Sequence, residues 1–380
     1  MTNKEASLVR TKSLLTNQNS LEHLYTLRDF PVFMGCVDIE FDRKDIVADM
    51  RWDICKETGI IQLHDPLPLE LLYMDQHNDG TGKVWADHYR EFSLFISEFK
   101  PEHILELGGA HNKIAENFWK HCPNSSWTIV EPNPKYITNP NIKVISDWFD
   151  ESFSTSEKVD AVIHSHVLEH TYNPVAFIQH IGKFLAEGQM HIFTFPNMLP
   201  MLEKNWTNCL NFEHTAFLTE EIVETLLARE GFKIIKKSYF GDPHSIFYAT
   251  RKTKVKESKE YVNNYLQYKE IFTNYINYHR DLIADLNKKI EEAENNIYIF
   301  GAHIFTQYLI NFGLRADKIV SILDNSPIKI GKKLYGTDLA VQSPEILRSN
   351  PNAKVILKVA SYEKEIREQI MSINDQVEFW

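Results

Sequence analysis

Residues 103–122, HILELGGAHNKIAENFWKHC, decide the reading of this chain. A short branched run, His103 to Leu107, has the look of a strand; it ends in Gly108-Gly109 and passes directly into helical spacing at Ile114, Phe118 and Trp119. A strand, a glycine turn and a helix in that order describe a loop at the carboxyl end of a sheet strand, where open α/β sheets bind ligands. Ala110 and Asn112 stand where a phosphate-cradling loop would want further glycines, and no P-loop lysine follows. Gly108 lets a neighbour approach the backbone closely, and Asn112 is expected to replace glycine at a left-handed position.

The pattern continues outward. HILELG, SWTIVEP, IKVIS, VDAVIHS, MHIFTFP, FKIIKKSYF and SIFYATRK read as strands, with helices expected over 112–121, 173–186 and 219–230. Alternation with short connections predicts a mainly parallel, doubly wound sheet. The last two strands, separated only by GDPH, are expected to pair antiparallel. Four segments follow from these changes of pattern: an irregular N-terminal domain over 1–95, the α/β domain over 96–252, a linker helix over 253–295 and a second small α/β domain over 296–380.

Composition narrows the function. The 380 residues carry a formal charge of −11, with 43% apolar and 24% charged residues, which argues against a nucleic-acid footprint. No segment approaches a membrane span and the N-terminus lacks a signal-peptide core, so a cytoplasmic protein is expected. Cys36, Cys55, Cys122 and Cys209 are scattered and suggest no disulfide framework.

Polar residues close the strands at regular intervals. Glu131 ends the second strand, 25 residues after Glu106, where a carboxylate accepts hydrogen bonds from ribose hydroxyls. Asp147-Trp148 follows the third, an acid and a ring suited to an adenine amine and its face, and the fourth runs into His166-Val167-Leu168-Glu169-His170. Singly, each has an ordinary alternative as a helix cap or a buried histidine.

In this order and spacing the motifs resemble the class I S-adenosylmethionine methyltransferases, with ILELGGAHNKIA as the first motif. The resemblance implies a class I Rossmann-like sheet with S-adenosyl-L-methionine as cofactor and S-adenosylhomocysteine as product. It implies cofactor contacts from Glu106, Gly108, Gly109, Ala110, Asn112, Glu131, Asp147, Trp148 and His166. A cofactor without phosphates needs few loop glycines. LNFEHTAFLTEEIVETLLAREGF, residues 210–232, is similar to the segment of sugar C-methyltransferases that carries a catalytic Glu-His pair, here Glu213 and His214. YIFGAHIFTQYLI and ILDNSPIKIGKKLYGTDLAVQSPEIL resemble that family's C-terminal domain, and WDICKETGIIQLHDPLPLELLYMDQHNDGTG its N-terminal domain.

The chain departs from the family in its cysteines. Thr58 stands where a Cys-x-x-Cys partner of Cys55 would fall and Cys36 has no partner, so no metal set is expected. Asn211 replaces a tyrosine two positions before the acid, and the loop around His77 and Asp79 has lost aromatics. His77, Asp79, His170 and Asn211 are therefore expected on the substrate side, with His214 as general base, because an imidazole titrates near neutral pH. The activity implied is C- or O-methylation of a small, nucleotide-linked sugar in polysaccharide or natural-product biosynthesis. Two alternatives stay open: a binding or scaffold protein of the same fold without turnover, and a nucleotide-sugar oxidoreductase using Gly301-Ala302-His303 and Asp324 for NAD, against which Thr306 stands in place of a glycine.

Overall fold

The structure is a computed structural model that describes residues 9–40, 44–72, 82–109, 111–134 and 137–380. His77, Asp79 and Ala110 lie outside the described residues. The chain forms two compact units, one comprising Gly80–Pro200 and His214–Asn263, the other Met1–Asp79, Met201–Glu213 and Asn264–Trp380.

The first unit is built on seven strands: β1 (His103–Leu107), β2 (Ser126–Val130), β3 (Ile142–Ile145), β4 (Ala161–Ser165), β5 (Met190–Pro196), β6 (Phe232–Phe240) and β7 (Ser245–Lys252). Their order across the sheet is β6-β7-β5-β4-β1-β2-β3. The five strands β1 to β5 run parallel, and β7 lies antiparallel between β5 and β6. All seven strands expected from the sequence are present. Helix α2 (Lys113–Trp119), α3 (Pro174–Phe184) and α4 (Glu220–Arg229) cover the sheet close to the expected spans. Asn173 caps α3 by accepting from the N–H of Ala176, with Pro174 in the first turn, where a missing N–H costs nothing.

The parallel strands are apolar on both faces because helices cover both. Ile104, Ile129, Ile163, Ile192 and Phe247 share one buried cluster with Phe118 and Trp127, and helix α1 (Lys83–Ser97) adds Tyr89, Phe92, Phe95 and Ile96 to it. An irregular segment is expected through residue 95; α1 instead belongs to the seven-stranded sheet, its aromatic stripe spaced to face one side.

The second unit joins residues from both chain ends. Leu21–Pro31, Val47–Cys55 and Ile61–Leu63 form an antiparallel three-stranded sheet, again more regular than the sequence suggested. Ile297–Phe300, Ile319–Leu323, Val341–Gln342, Lys354–Ile356 and Glu378–Phe379 form a parallel five-stranded sheet. Cys36–Asp38 pairs with Lys332–Leu334. The buried amide of Gln307 donates to the carbonyls of Phe33 and Tyr335. The segment read as a linker is a helix over Tyr265–Glu292 that buries Ile283, Leu286 and Ile290 in the same core. The N-terminal segment, this helix and the C-terminal sheet therefore share one unit where the sequence suggested three segments.

Candidate active site

The loop after β1 is shaped by close packing. Gly108 has φ +67°, and a Cβ there would stand 2.7 Å from Cγ2 of Val167, on the loop after β4. A Cβ on Gly109 would stand 2.8 Å from the carboxyl carbon of Glu106. Both glycines are thus required by protein neighbours as much as by any ligand. Glu106 is buried beneath the loop, and Oε2 accepts from Nε1 of Trp127 at 2.7 Å. Burial pushes its carboxyl up to about 8, so it is held as an acid that supports the turn. Asn112 has φ −77°, in the right-handed region. The left-handed role expected for it is not present, because the residue already stands at the helical entry to α2. Its Nδ2 donates to Thr138 Oγ1 at 3.1 Å, while buried Oδ1 has no hydrogen-bond partner.

Glu131 closes β2 with Oε1 accepting from the N–H of Asn133 at 2.9 Å, and burial raises its pKa. Asp147 is exposed and accepts from the N–H of Trp148, whose ring is 57% exposed. Together Asn112 Oδ1, Glu131 and Asp147 make the described rim of β1–β3 rich in acceptors. That donor-seeking set suits a cationic, phosphate-free ligand bearing an ammonium, two ribose hydroxyls and an adenine amine. The residues therefore fit S-adenosylmethionine.

The end of β4 carries the histidines. His166 has φ +54°, a conformation uncommon outside glycine and a mark of functional sites. Its N–H donates to Thr194, Nε2 meets Ser245 Oγ at 2.8 Å, and Nδ1 lies 2.9 Å from Glu169 Oε1. Burial pushes the imidazole down to about 3 and the Glu169 carboxyl up. With the imidazole held neutral the contact is not an ion pair, and Glu169 Oε1 has no hydrogen-bond partner among the described residues. His166 is thus held by Ser245 and the Thr194 carbonyl, with 15% of its side chain exposed.

Ligand atoms of Glu169, His170 and His214 lie within 4.8 Å of one another, and the two imidazole rings meet edge-on at 4.8 Å. Both histidines are half-buried while Glu169 is fully buried. The two imidazoles draw the carboxyl pKa back down against its burial. Glu213 and Asn211 belong to the other unit; both are buried, and Asn211 Oδ1 accepts from the N–H of Glu213 at 2.8 Å.

Sequence reasoning missed three residues of this site. Trp127 and Thr138 hold Glu106 and Asn112 and carry no motif signal. Glu169 had one, since the HVLEH spacing already placed it between two histidines. The cysteines are all free thiols, and among the described residues none joins a metal-ligand cluster. In the other unit, Asp324 is occupied by backbone: Oδ2 accepts from the N–H of Ala302, in the turn after Ile297–Phe300, and Oδ1 from that of Ser326 in its own loop.

The parallel sheet with its antiparallel β7 and the glycine turn after β1 define a class I, Rossmann-like methyltransferase. Residues 78–237 match the methyltransferase domain family and residues 243–379 the C-methyltransferase C-terminal domain family, so the chain is an S-adenosylmethionine-dependent methyltransferase with a C-methyltransferase-like architecture. Comparison with curated proteins gave no match. Similar solved structures include the plantazolicin methyltransferase BpumL in complex with a monoazolic desmethylPZN analog and SAH, at TM-score 0.37 and 15% identity over 44% of this chain and 85% of that one. The N,N-8-amino-8-demethyl-D-riboflavin dimethyltransferase of Streptomyces davawensis has TM-score 0.36 and 17% identity over 44% and 55%. The 1,6-didemethyltoxoflavin-N1-methyltransferase of Burkholderia thailandensis has TM-score 0.35 and 13% identity over 45% and 82%. No helix among the described residues is long and apolar enough to cross a membrane.

Proposed function

We propose that the protein methylates a carbon or oxygen of a small, nucleotide-linked sugar, with His214 as general base. The observation that carries this reading is the cluster of Glu169, His170 and His214 at the carboxyl end of β4, within 4.8 Å of one another. S-adenosylmethionine supplies an electrophilic methyl when bound. The chain's own part is to orient the acceptor and remove a proton from its hydroxyl, or from a carbon beside a carbonyl. Glu169 positions His214 and meets the charge of the imidazolium. His170 walls the acceptor side, and Glu213 binds a sugar hydroxyl. Asn112, Glu131, Asp147 and Trp148 hold the cofactor, with Glu106, Gly108 and Gly109 shaping its loop.

The match to a C-methyltransferase C-terminal domain over residues 243–379 supports a carbon acceptor, and the sugar rests on the likeness of residues 210–232 to sugar C-methyltransferases. His77, Asp79 and Asn211 belong to the same reading as substrate-side residues. The test is methyl transfer from S-adenosylmethionine to a panel of nucleotide-linked keto and hydroxy sugars, read by product mass. A gain of one methyl on any of them supports the reading; turnover confined to acceptors without a sugar would overturn it. An oxidoreductase is disfavoured because both oxygens of Asp324 already accept from backbone N–H groups, of Ala302 and Ser326.

A further inference from the structure

His88 on α1, His166 after β4 and His244 ahead of β7 each offer one ligand atom, and these three atoms lie within 4.8 Å of one another. His88 is fully buried, and neither of its ring nitrogens has a hydrogen-bond partner. A polar group enclosed in this way has lost its water without gaining a hydrogen bond in return. Its apolar neighbours Phe92, Phe240 and Phe247 offer no acceptor.

The other two rings are already held from behind. Nδ1 of His166 faces Glu169, while Ser245 Oγ meets both Nε2 of His166 and Nδ1 of His244, at 2.8 and 2.6 Å. One hydroxyl thus serves two imidazoles, donating to one and accepting from the N–H of the other. Carboxylate and hydroxyl partners behind imidazoles are how metal-binding histidines are oriented. Burial keeps all three rings below their ordinary pKa, His166 and His244 at about 3. At neutral pH each is uncharged and has a lone pair to give.

We propose that His88, His166 and His244 bind one divalent transition-metal ion of the zinc class, seated among α1, the end of β4 and the start of β7. Three neutral nitrogens and no thiolate suit zinc, cobalt or nickel rather than magnesium or calcium. Bonds of ~2.0–2.1 Å in a tetrahedron bring ligand nitrogens to ~3.3 Å, so the three rings must close in from the present spacing of within 4.8 Å. His166 gives up one of its two present contacts to do so, and Ser245 can remain on His244. The site shares no ligand with His170 and His214, although Glu169 borders both, and it does not rest on the identity of the methyl acceptor.

The test is titration of the full-length, chelator-stripped protein with Co²⁺, followed by visible absorption and by competition with Zn²⁺. One equivalent of Co²⁺ with a ligand-field band, displaced by Zn²⁺, is expected. His88→Gln and His244→Gln should each lose the band and weaken Zn²⁺ binding at least tenfold, and Ser245→Ala should weaken it ~10–100-fold. His214→Gln should keep the band. Circular dichroism checks that each variant is folded, and the wild-type titration decides without them. No band in folded wild-type protein overturns the proposal. So does a band that survives His88→Gln or His244→Gln, or one lost in His214→Gln alone.

Discussion

His214 and Glu169 divide one task between a half-buried base and a buried partner. His214→Ala should reduce turnover by ~10²–10⁴-fold, the range for general-base loss, and leave S-adenosylhomocysteine affinity unchanged by calorimetry. Glu169→Gln keeps the shape and removes the countercharge, so it should lower kcat with little effect on KM. Full activity in His214→Ala would remove it as base. Gly108 is constrained in a different way. At φ +67° and 2.7 Å from Val167, Gly108→Ala carries a backbone cost of ~1–2 kcal/mol and displaces the β4 loop. Its cofactor affinity should fall with its melting temperature.

The strands hold two groups whose titration opposes folding. Glu106 on β1 has its carboxyl raised from 4.5 to about 8 by burial. A raised carboxyl contributes stability below ~4.5 that is lost as pH rises through about 8. Glu106→Gln should therefore flatten the fall of melting temperature between pH 5 and 9; an unchanged profile would exclude it. His164 on β4 and His191 on β5 share an Nε2–Nε2 contact of 2.9 Å inside the sheet packing. Both are held below 6.5 by burial, His191 at about 3. Here the sign is reversed: stability is present above ~6.5 and lost as pH falls towards 3. His191→Phe should remove part of that acid sensitivity, measured as melting temperature from pH 7 to 4.

For the whole molecule, the two chain ends depend on each other within one unit. Cys36–Asp38 completes its pairing with Lys332–Leu334, and Gln307 satisfies the carbonyls of Phe33 and Tyr335. A chain ended at Asn295 should leave the sheet of residues 21–63 without hydrogen-exchange protection. The strands of the methyltransferase sheet should keep theirs. Equal protection of both would show that the N-terminal sheet folds alone.

The seven strands β1–β7 were legible because each is a short branched or aromatic run bounded by turn residues, and both faces being covered makes such runs continuous. The acids closing β2 and β3 were legible for the same reason, since strand ends fix where side chains emerge. Tertiary structure decided what periodicity does not encode. It alone determined that Glu106 is buried against Trp127, that Asn112 stands in the helical region, and that His88, His166 and His244 converge from positions up to 156 residues apart. It also placed α1 with the methyltransferase sheet. Local pattern reports the conformation of a segment and which side of it is apolar. Which distant side chain fills the space opposite depends on packing that no local window contains.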